Sequence, residues 1–386
     1  MQAVVCGAIA TFPVGGVAWD YAQYALGLEE LGFEVFYLED TSWTTYDPVE
    51  NSYGEDPSVG VQFLQQSLDS LSETLATRWH FRGYDGSSFG LATKEINEVI
   101  AGADVFLNIS GITPLSDEHM RSKRKVLIDT DPGWNHFVRF PQWDQKPVQE
   151  GRQGFRAHDY YFTYAQNIGR PGCGLPTLGI DWTGTRPPVV MGHWPQEPAG
   201  RTWTTVMTWD NYTQPIVADG REYGSKEPEF RKIEGLPRIV SAPLEVAVGG
   251  IGPPVDRWRD SGWSVIDSGS ISATVEDYSE YIVRSRGEFS VAKNVYAATR
   301  SGWFSCRSAC YLAAGRPVIV QETGWSDLIP SGEGLMAFGD LEEAASCIRA
   351  VEEEYERHSS AARRVAGSHF DATVVLGDLL NRIGVS

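Results

Sequence analysis

An α/β fold with two parallel-sheet domains is the class this sequence predicts, and three observations carry the prediction. Short apolar runs alternate with amphipathic stretches through the first half of the chain. The same alternation restarts in the second half. Between them lies Gly184–Arg201, rich in proline and glycine and with little periodicity, which reads as a linker. At 386 residues the chain also exceeds one ordinary core. Two Rossmann-like domains in tandem are therefore expected, over residues 1–190 and 200–365. Residues 366–386 are expected to form a helix returning to the first domain.

The elements follow in order. Met1–Ile9 is predicted as a strand, followed by a glycine-bearing loop through Gly15 and Gly16. Tyr21, Ala25, Leu28 and Leu31 then recur at helical spacing until Gly32 stops the helix, and Glu34–Leu38 gives the next strand. Asp40–Pro57 is polar and aromatic and reads as a surface insertion. Leu64, Leu68, Leu71 and Leu75 mark an amphipathic helix. A helix at Thr93–Ala101 and strands at Asp104–Ile109, Lys125–Ile128 and Asp159–Tyr164 complete this half. In the second half strands are predicted at Thr204–Trp209, Arg238–Ala242, Trp263–Asp267, Glu288–Ala292, Pro317–Gln321 and Leu335–Phe338. Helices are predicted near Lys226–Glu234, Asp256–Ser261, Val275–Ser285, Ser305–Ala314 and from Leu341 onward.

Composition limits the partners. A formal charge of −19 opposes broad binding to phosphate backbones or anionic membranes. A nucleic-acid acceptor is thereby disfavoured, although a small basic strip would suffice for one. Five cysteines without a CxxC pair suggest neither a disulfide framework nor a zinc site. The apolar N-terminus lacks a basic leader and reads as a buried strand, and no run is long enough to span a membrane, so a cytoplasmic location is expected.

The most informative stretch is Gly287–Phe338, a β-loop-α-β unit. Its glycine-aromatic loop, Ser301, Gly302, Trp303, Phe304 and Ser305, precedes a helix closed at Gly315. Free N–H groups and the helix dipole at such a position favour a phosphate or diphosphate. A second loop, Gln321, Glu322, Thr323 and Gly324, leaves the next strand at the same sheet edge and offers a carboxylate suited to hydroxyls. Adjacent loops at one edge make a ligand crevice. Gly15 and Gly16 fit a loop that a ligand approaches closely, and equally a tight turn.

With these residues the sequence resembles the nucleotide-sugar-dependent glycosyltransferases of the GT-B fold, in their family-1/family-4-like group. The likeness is concentrated in Arg300–Gly324, where RSGWFSCRSACYLAAGRPVIVQETG looks like the family's glycine-aromatic loop, helix of small residues, x-Pro-Val-Ile strand and short polar loop. The resemblance implies a donor site in the second domain, an acceptor held mainly by the first, and catalysis in the cleft between them. The paired glutamates of many retaining members are missing, with Gly302 and Cys310 in their places, which tilts the expectation toward inversion. Glu322 is expected to take over contact with ribose or sugar.

Glycosyl transfer requires stabilisation of the leaving diphosphate, positioning of the anomeric carbon and often a base for the acceptor hydroxyl. Ser301–Ser305 would supply N–H donors, with Arg300 the favoured cation and Arg307 or Lys293 as additions. No metal or other cofactor is expected, and the donor is expected to be a nucleotide-diphosphate sugar, UDP-linked. Ser268 and Gly269, or Trp209–Tyr212, are read as contacts to the base. Asp131 and His136 are the leading candidates for the general base, with Asp20 a rival. The aromatic residues of the first half, Trp19, Trp43, Tyr46, Tyr53, Trp79, Trp134 and Trp143, suit an aromatic or glycan acceptor, with core and domain-interface packing the default for most of them. An epimerase of the same fold and a non-catalytic sugar-nucleotide or glycan-binding protein are the alternatives. A dehydrogenase is disfavoured because no GxGxxG follows the first strand of either half.

Overall fold

The computed structural model describes residues 1–146, 149–210, 215–218 and 220–385. The first half runs through β1 (Gln2–Cys6), α1 (Gly15–Glu30), β2 (Glu34–Glu39), β3 (Thr45–Asp47), β4 (Ser52–Gly54), α2 (Ser58–Leu71), β5 (Trp79–Arg82), β6 (Ser88–Gly90), α3 (Thr93–Gly102), β7 (Val105–Ile109) and β8 (Lys125–Asp129). It continues with α4 (Pro132–Trp134), a π-helical turn at Asn135–Arg139, α5 (Phe140–Gln145), β9 (Tyr160–Thr163) and β10 (Thr183–Gly184). Among the described residues these strands form an eight-stranded sheet in the order β10-β9-β8-β7-β1-β2-β5-β6, with β3 and β4 as a separate hairpin. Its named pairs are parallel except β5 with β6.

β1 lies inside that sheet, and its sequence explains why it is apolar throughout. Ala3 and Val5 enter the core shared with α1, while Val4 and Cys6 pack with Ile96 and Ile100 of α3 on the other face. A parallel strand covered on both faces has no solvent side to reserve for polar residues.

The second half comprises β11 (Trp203–Thr208), β12 (Ile216–Ala218), β13 (Arg221–Tyr223), α6 (Glu227–Ile233), β14 (Leu244–Gly249), α7 (Val255–Asp260), β15 (Ser264–Asp267), α8 (Val275–Val283), β16 (Gly287–Ser290) and α9 (Asn294–Ala298). Then follow α10 (Cys306–Ala313), β17 (Val318–Gln321), β18 (Leu335–Phe338), α11 (Leu341–Glu353), α12 (Tyr355–His369) and α13 (Ala372–Arg382). A six-stranded sheet, β15-β14-β11-β16-β17-β18, is parallel throughout its named pairs. The last helix returns to the first half, where Leu376 and Leu379 are buried in the core that holds Ala25 and Leu28 of α1. Two Rossmann-like domains thus face each other across a cleft, as expected.

Several local expectations are corrected. The strand expected at Arg238–Ala242 is a 3-10 turn and coil, and the strand is Leu244–Gly249. Pro237 and Pro243 bracket the earlier run and deprive it of ladder donors, so the run after the second proline pairs instead. β5 is a strand with no counterpart among the expectations, because its Trp-His-Phe-Arg run alternates over only four residues, too short a window to separate it from its surroundings. Asp40–Pro57 contains the β3–β4 hairpin, and α2 ends at Leu71, leaving Leu75 in a separate 3-10 turn.

The domains meet through α1. The amides of Gly15 and Gly16 donate to the carbonyl and hydroxyl of Ser272 at 2.8 and 3.0 Å, and Trp19 Nε1 reaches the Val275 carbonyl at 2.9 Å. A Cβ at Gly15 would lie 2.1 Å from the Thr274 carbonyl oxygen. This backbone-to-backbone approach leaves no room for a side chain. Gly15→Ala is therefore expected to destabilise the protein by about 1–3 kcal/mol, the usual range for overpacking, as read from the urea midpoint.

Candidate functional site

A cavity of about 300 Å³ lies between the two domains at the carboxyl ends of their strands. The first domain contributes Val14, Gly16, Val17, Asp20, Thr130 and Asp131 to its wall. Opposite them stand Lys226, Ser268, Tyr278, Lys293, Tyr296, Trp303, Ser305, Cys306 and Arg307 of the second.

Arg307 projects from the first turn of α10. Its Nε donates to Glu288 at 2.6 Å, and its two terminal nitrogens reach the Val206 carbonyl and the Ser290 hydroxyl at 2.5 Å each. Glu288 is fully buried on β16. Burial works against the guanidinium charge, and the adjacent Glu288 carboxylate more than restores it. The side chain is thereby fixed before any ligand arrives.

Lys226 stands at the start of α6 and donates to the Thr208 carbonyl at 3.0 Å. It is only partly screened from the cavity solvent, yet it is enclosed by protein on the other sides. Enclosure, followed by the charges of Arg307 and Lys293, pushes its ammonium well down from the ordinary lysine value. Lys226, Lys293 and Arg307 thus stand around one cavity, with Lys293 paired to Asp131 and Arg307 to Glu288. Lys226 is a cavity residue outside the sequence-based expectations, although a lysine at the amino end of a helix, where the dipole opposes it, is a usable signal.

Across the cavity Asp20 projects from α1 and is exposed to the solvent of the cavity, with protein around it on the other sides. Enclosure raises its carboxyl to about 6, against the opposing pull of the Cys306 thiol, which hydrogen-bonds to it, and of Arg307. Burial and Asp20 in turn push the Cys306 thiol up, so it stays protonated as a donor. A carboxyl with a pKa near 6 accepts protons effectively at neutral pH.

Asp131 is differently held. It caps α4 through the Trp134 amide, and it receives Lys293 Nζ at 2.8 Å and the Tyr296 hydroxyl at 2.5 Å from the second domain. Burial raises its carboxyl, but Lys293 and Tyr296 outweigh that and hold it below the usual range. His136 does not reach the cavity. It is 0% exposed, with Nε2 at 3.0 Å from Asp129 and Nδ1 at 2.8 Å from the Pro176 carbonyl, and its ring lies 4.7 Å from that of Trp182.

The glycine-aromatic loop supplies fewer amides than its sequence suggests. Ser301 donates to the Tyr296 carbonyl, Gly302 to the Thr323 carbonyl and Trp303 to the Ser301 hydroxyl. Gly302 has φ +78°, and a Cβ there would lie 3.0 Å from Asn167. Trp303 stacks on Tyr296 at 4.4 Å and donates through Nε1 to the Thr130 carbonyl, while Phe304 is buried against Trp325 and Phe370. The first-turn amides of α10, from Cys306 to Ser308, have no acceptor within the helix by its geometry. Of the loop's residues only Trp303 and Ser305 line the cavity.

The second loop is turned inward. Glu322 accepts from the Gly324 amide and the Ser326 hydroxyl, closing its own turn. Gln321 binds Glu229 and the Ala292 amide, Thr323 donates to the Trp303 carbonyl, and the Gly324 carbonyl accepts from Asn167 at 2.9 Å. Arg300 pairs with Asp327 on the surface, 3.2 Å away. Gly269 donates to Asp267, leaving Ser268 as the member of that pair that lines the cavity. Asn211 and Tyr212 lie outside the described residues. Among the described residues no group of three or more His, Cys, Asp or Glu is arranged to hold a metal ion. No helix is long and apolar enough to cross a membrane.

No family model and no curated protein matches the chain by sequence. Solved structures do match in fold. An α-glucosyltransferase in complex with UDP-glucose and DNA containing an abasic site aligns at TM-score 0.56 and 11% identity, covering 100% of this chain and 99% of that one. HepE from Anabaena, in complex with UDP, aligns at TM-score 0.53 and 9% identity over 99% of each chain. AviGT4, a glycosyltransferase involved in avilamycin A biosynthesis, aligns at TM-score 0.51 and 13% identity, covering 99% of this chain and 96% of its own. Over its whole length, then, this chain has the GT-B fold of those glycosyltransferases.

Proposed function

We propose that this protein is a glycosyltransferase that moves a sugar from a nucleoside diphosphate, a UDP-sugar, to an acceptor hydroxyl presented mainly by the first domain. The observation that carries this reading is a single cavity with Lys226, Lys293, Arg307 and the amino end of α10 on one wall and Asp20 on the other. The cations and amides suit the diphosphate, whose charge grows as the glycosidic bond breaks. Asp20 takes the acceptor proton, which makes a single displacement with inversion the outcome the site supports. Asp131 holds Lys293 in position and is already paired, so it is the weaker base. Solved neighbours of this fold with UDP or UDP-glucose bound support the uridine donor. Leaving-group charge is assigned to side chains and not to a metal.

Calorimetric titration with UDP in the presence of EDTA tests the reading. Wild type is expected to bind, and Lys226→Ala to bind about tenfold to a hundredfold more weakly, the loss expected for one charge-assisted hydrogen bond. UDP that fails to bind wild type under these conditions would sink the proposal. Turnover of a UDP-sugar with no acceptor present would identify an epimerase, and binding without turnover across many acceptors a binding protein.

A further inference from the structure

We propose that an aromatic terrace beside the cavity is the acceptor subsite, and that the acceptor it selects is a neutral oligosaccharide. This deepens the transferase reading and rests on it. The terrace consists of Phe12, Trp43, Tyr46 and Tyr53, with Arg139 beside it. Tyr53 is 63% exposed on β4, although its ring lies only 6.4 Å from Phe12 and 5.2 Å from Tyr46. Trp43 meets Phe12 at 6.0 Å, and the Arg139 guanidinium lies over Trp43 at 5.2 Å.

The terrace is continuous with the cavity. The Tyr46 amide donates to the Thr11 carbonyl at 2.9 Å, tying the hairpin to the loop whose Val14 lines the cavity. On the other side Arg139 donates to the Ser110 carbonyl at 3.0 Å, and the Ser110 hydroxyl meets that of Thr130, another cavity residue, at 2.5 Å.

Ring geometry and charge select the occupant. Phe12 is inclined at 75° to Trp43 and at 84° to Tyr53, so these rings form no parallel slot for a flat aryl group. Separate, steeply inclined faces suit successive pyranose rings, each with an apolar C–H face for stacking and a hydroxyl rim. Polar groups stand ready for that rim, with Tyr46 bonded to Asn51 and Ser42 to Gln149 at the exposed edge. The surrounding chain is acidic. Asp47, Glu50, Glu55 and Asp56 lie on or beside the hairpin, and no lysine or arginine occurs between Glu34 and Thr77. Arg139 is the cation of the terrace, with its terminal nitrogens bonded to the Ser110 and Gly111 carbonyls, and the four carboxylates around the hairpin outweigh it, so anionic chains, nucleic acid included, are repelled there.

The test is titration of the full chain, without donor, with neutral gluco-, galacto- and manno-oligosaccharides, with their uronate counterparts and with aryl alcohols, followed by tryptophan fluorescence. Wild type is expected to prefer one neutral series. Tyr53→Ala is expected to weaken that binding about tenfold and Tyr53→Phe to retain it, with UDP affinity and melting temperature unchanged in both. Preference for uronates or aryl alcohols, no binding of any neutral series, or a Tyr53→Ala variant that binds as wild type would each overturn the proposal. UDP that fails to bind would instead remove the transferase reading, while the oligosaccharide titration would still decide what the terrace takes.

Discussion

Replacing Asp20 by asparagine is expected to cut sugar transfer by about 10²–10⁴-fold while UDP binding stays close to wild type, because the amide keeps the shape of the wall and loses the base. The pH dependence gives an independent check. Asp20 titrates near 6, so below that pH it is protonated and cannot accept the acceptor proton. Wild-type kcat/KM is therefore expected to rise with pH through about 6 and then level off, and Asp20→Asn to lose that limb. Stability moves oppositely. The folded-state pKa is raised from 3.8, so the stability that this carboxyl contributes is complete below the unfolded value and is lost as pH rises through about 6. Asp20→Asn is accordingly expected to melt higher than wild type at pH 8. A variant that keeps full transfer activity would remove Asp20 from the chemistry.

Arg307→Ala is expected to produce the largest loss of stability, about 3–5 kcal/mol, because it leaves the carboxylate of Glu288 buried without its partner. One oxygen of Glu288 already has no hydrogen-bond partner among the described residues, so nothing nearby is placed to compensate. UDP binding is expected to be lost as well. These two effects separate in the double variant Arg307→Ala/Glu288→Gln, in which the buried charge is gone. Urea unfolding is expected to recover much of the lost stability, and calorimetry to find UDP binding still absent. If the double variant recovers both, Arg307 is a packing residue and not a phosphate ligand.

The two-domain α/β architecture was legible because parallel strands buried on both faces must be apolar throughout, as β1 is, and because the alternation of strands and helices restarts in the second half. The β-loop-α-β unit around α10 was legible for the same reason. The use of its loop amides was not, since Gly302 turns to Thr323 on the next loop, while Ser301 and Trp303 turn back to Tyr296 and Ser301 in their own segment. Glu322 offered a carboxylate in a strand-end loop, but its own turn uses it. His136 shared a short segment with Asp131 and still points into the core, because the π-helical turn that starts at Asn135 directs it there.

Local periodicity and breaker residues set which segments become strands and helices, and strand-end position set which loops approach the cleft. That much depends on near neighbours along the chain, and the sequence determined it for most segments, with Arg238–Ala242 and β5 as exceptions. Which carboxyl becomes a base and which becomes a clamp depends on the charges and enclosure that distant segments bring to it. Asp20 lies near Arg307 and Cys306, and Asp131 near Lys293 and Tyr296, only because α1 closes against α10 and α4 against α9. Electrostatic environment is a property of separation in space, and the tertiary structure decided it.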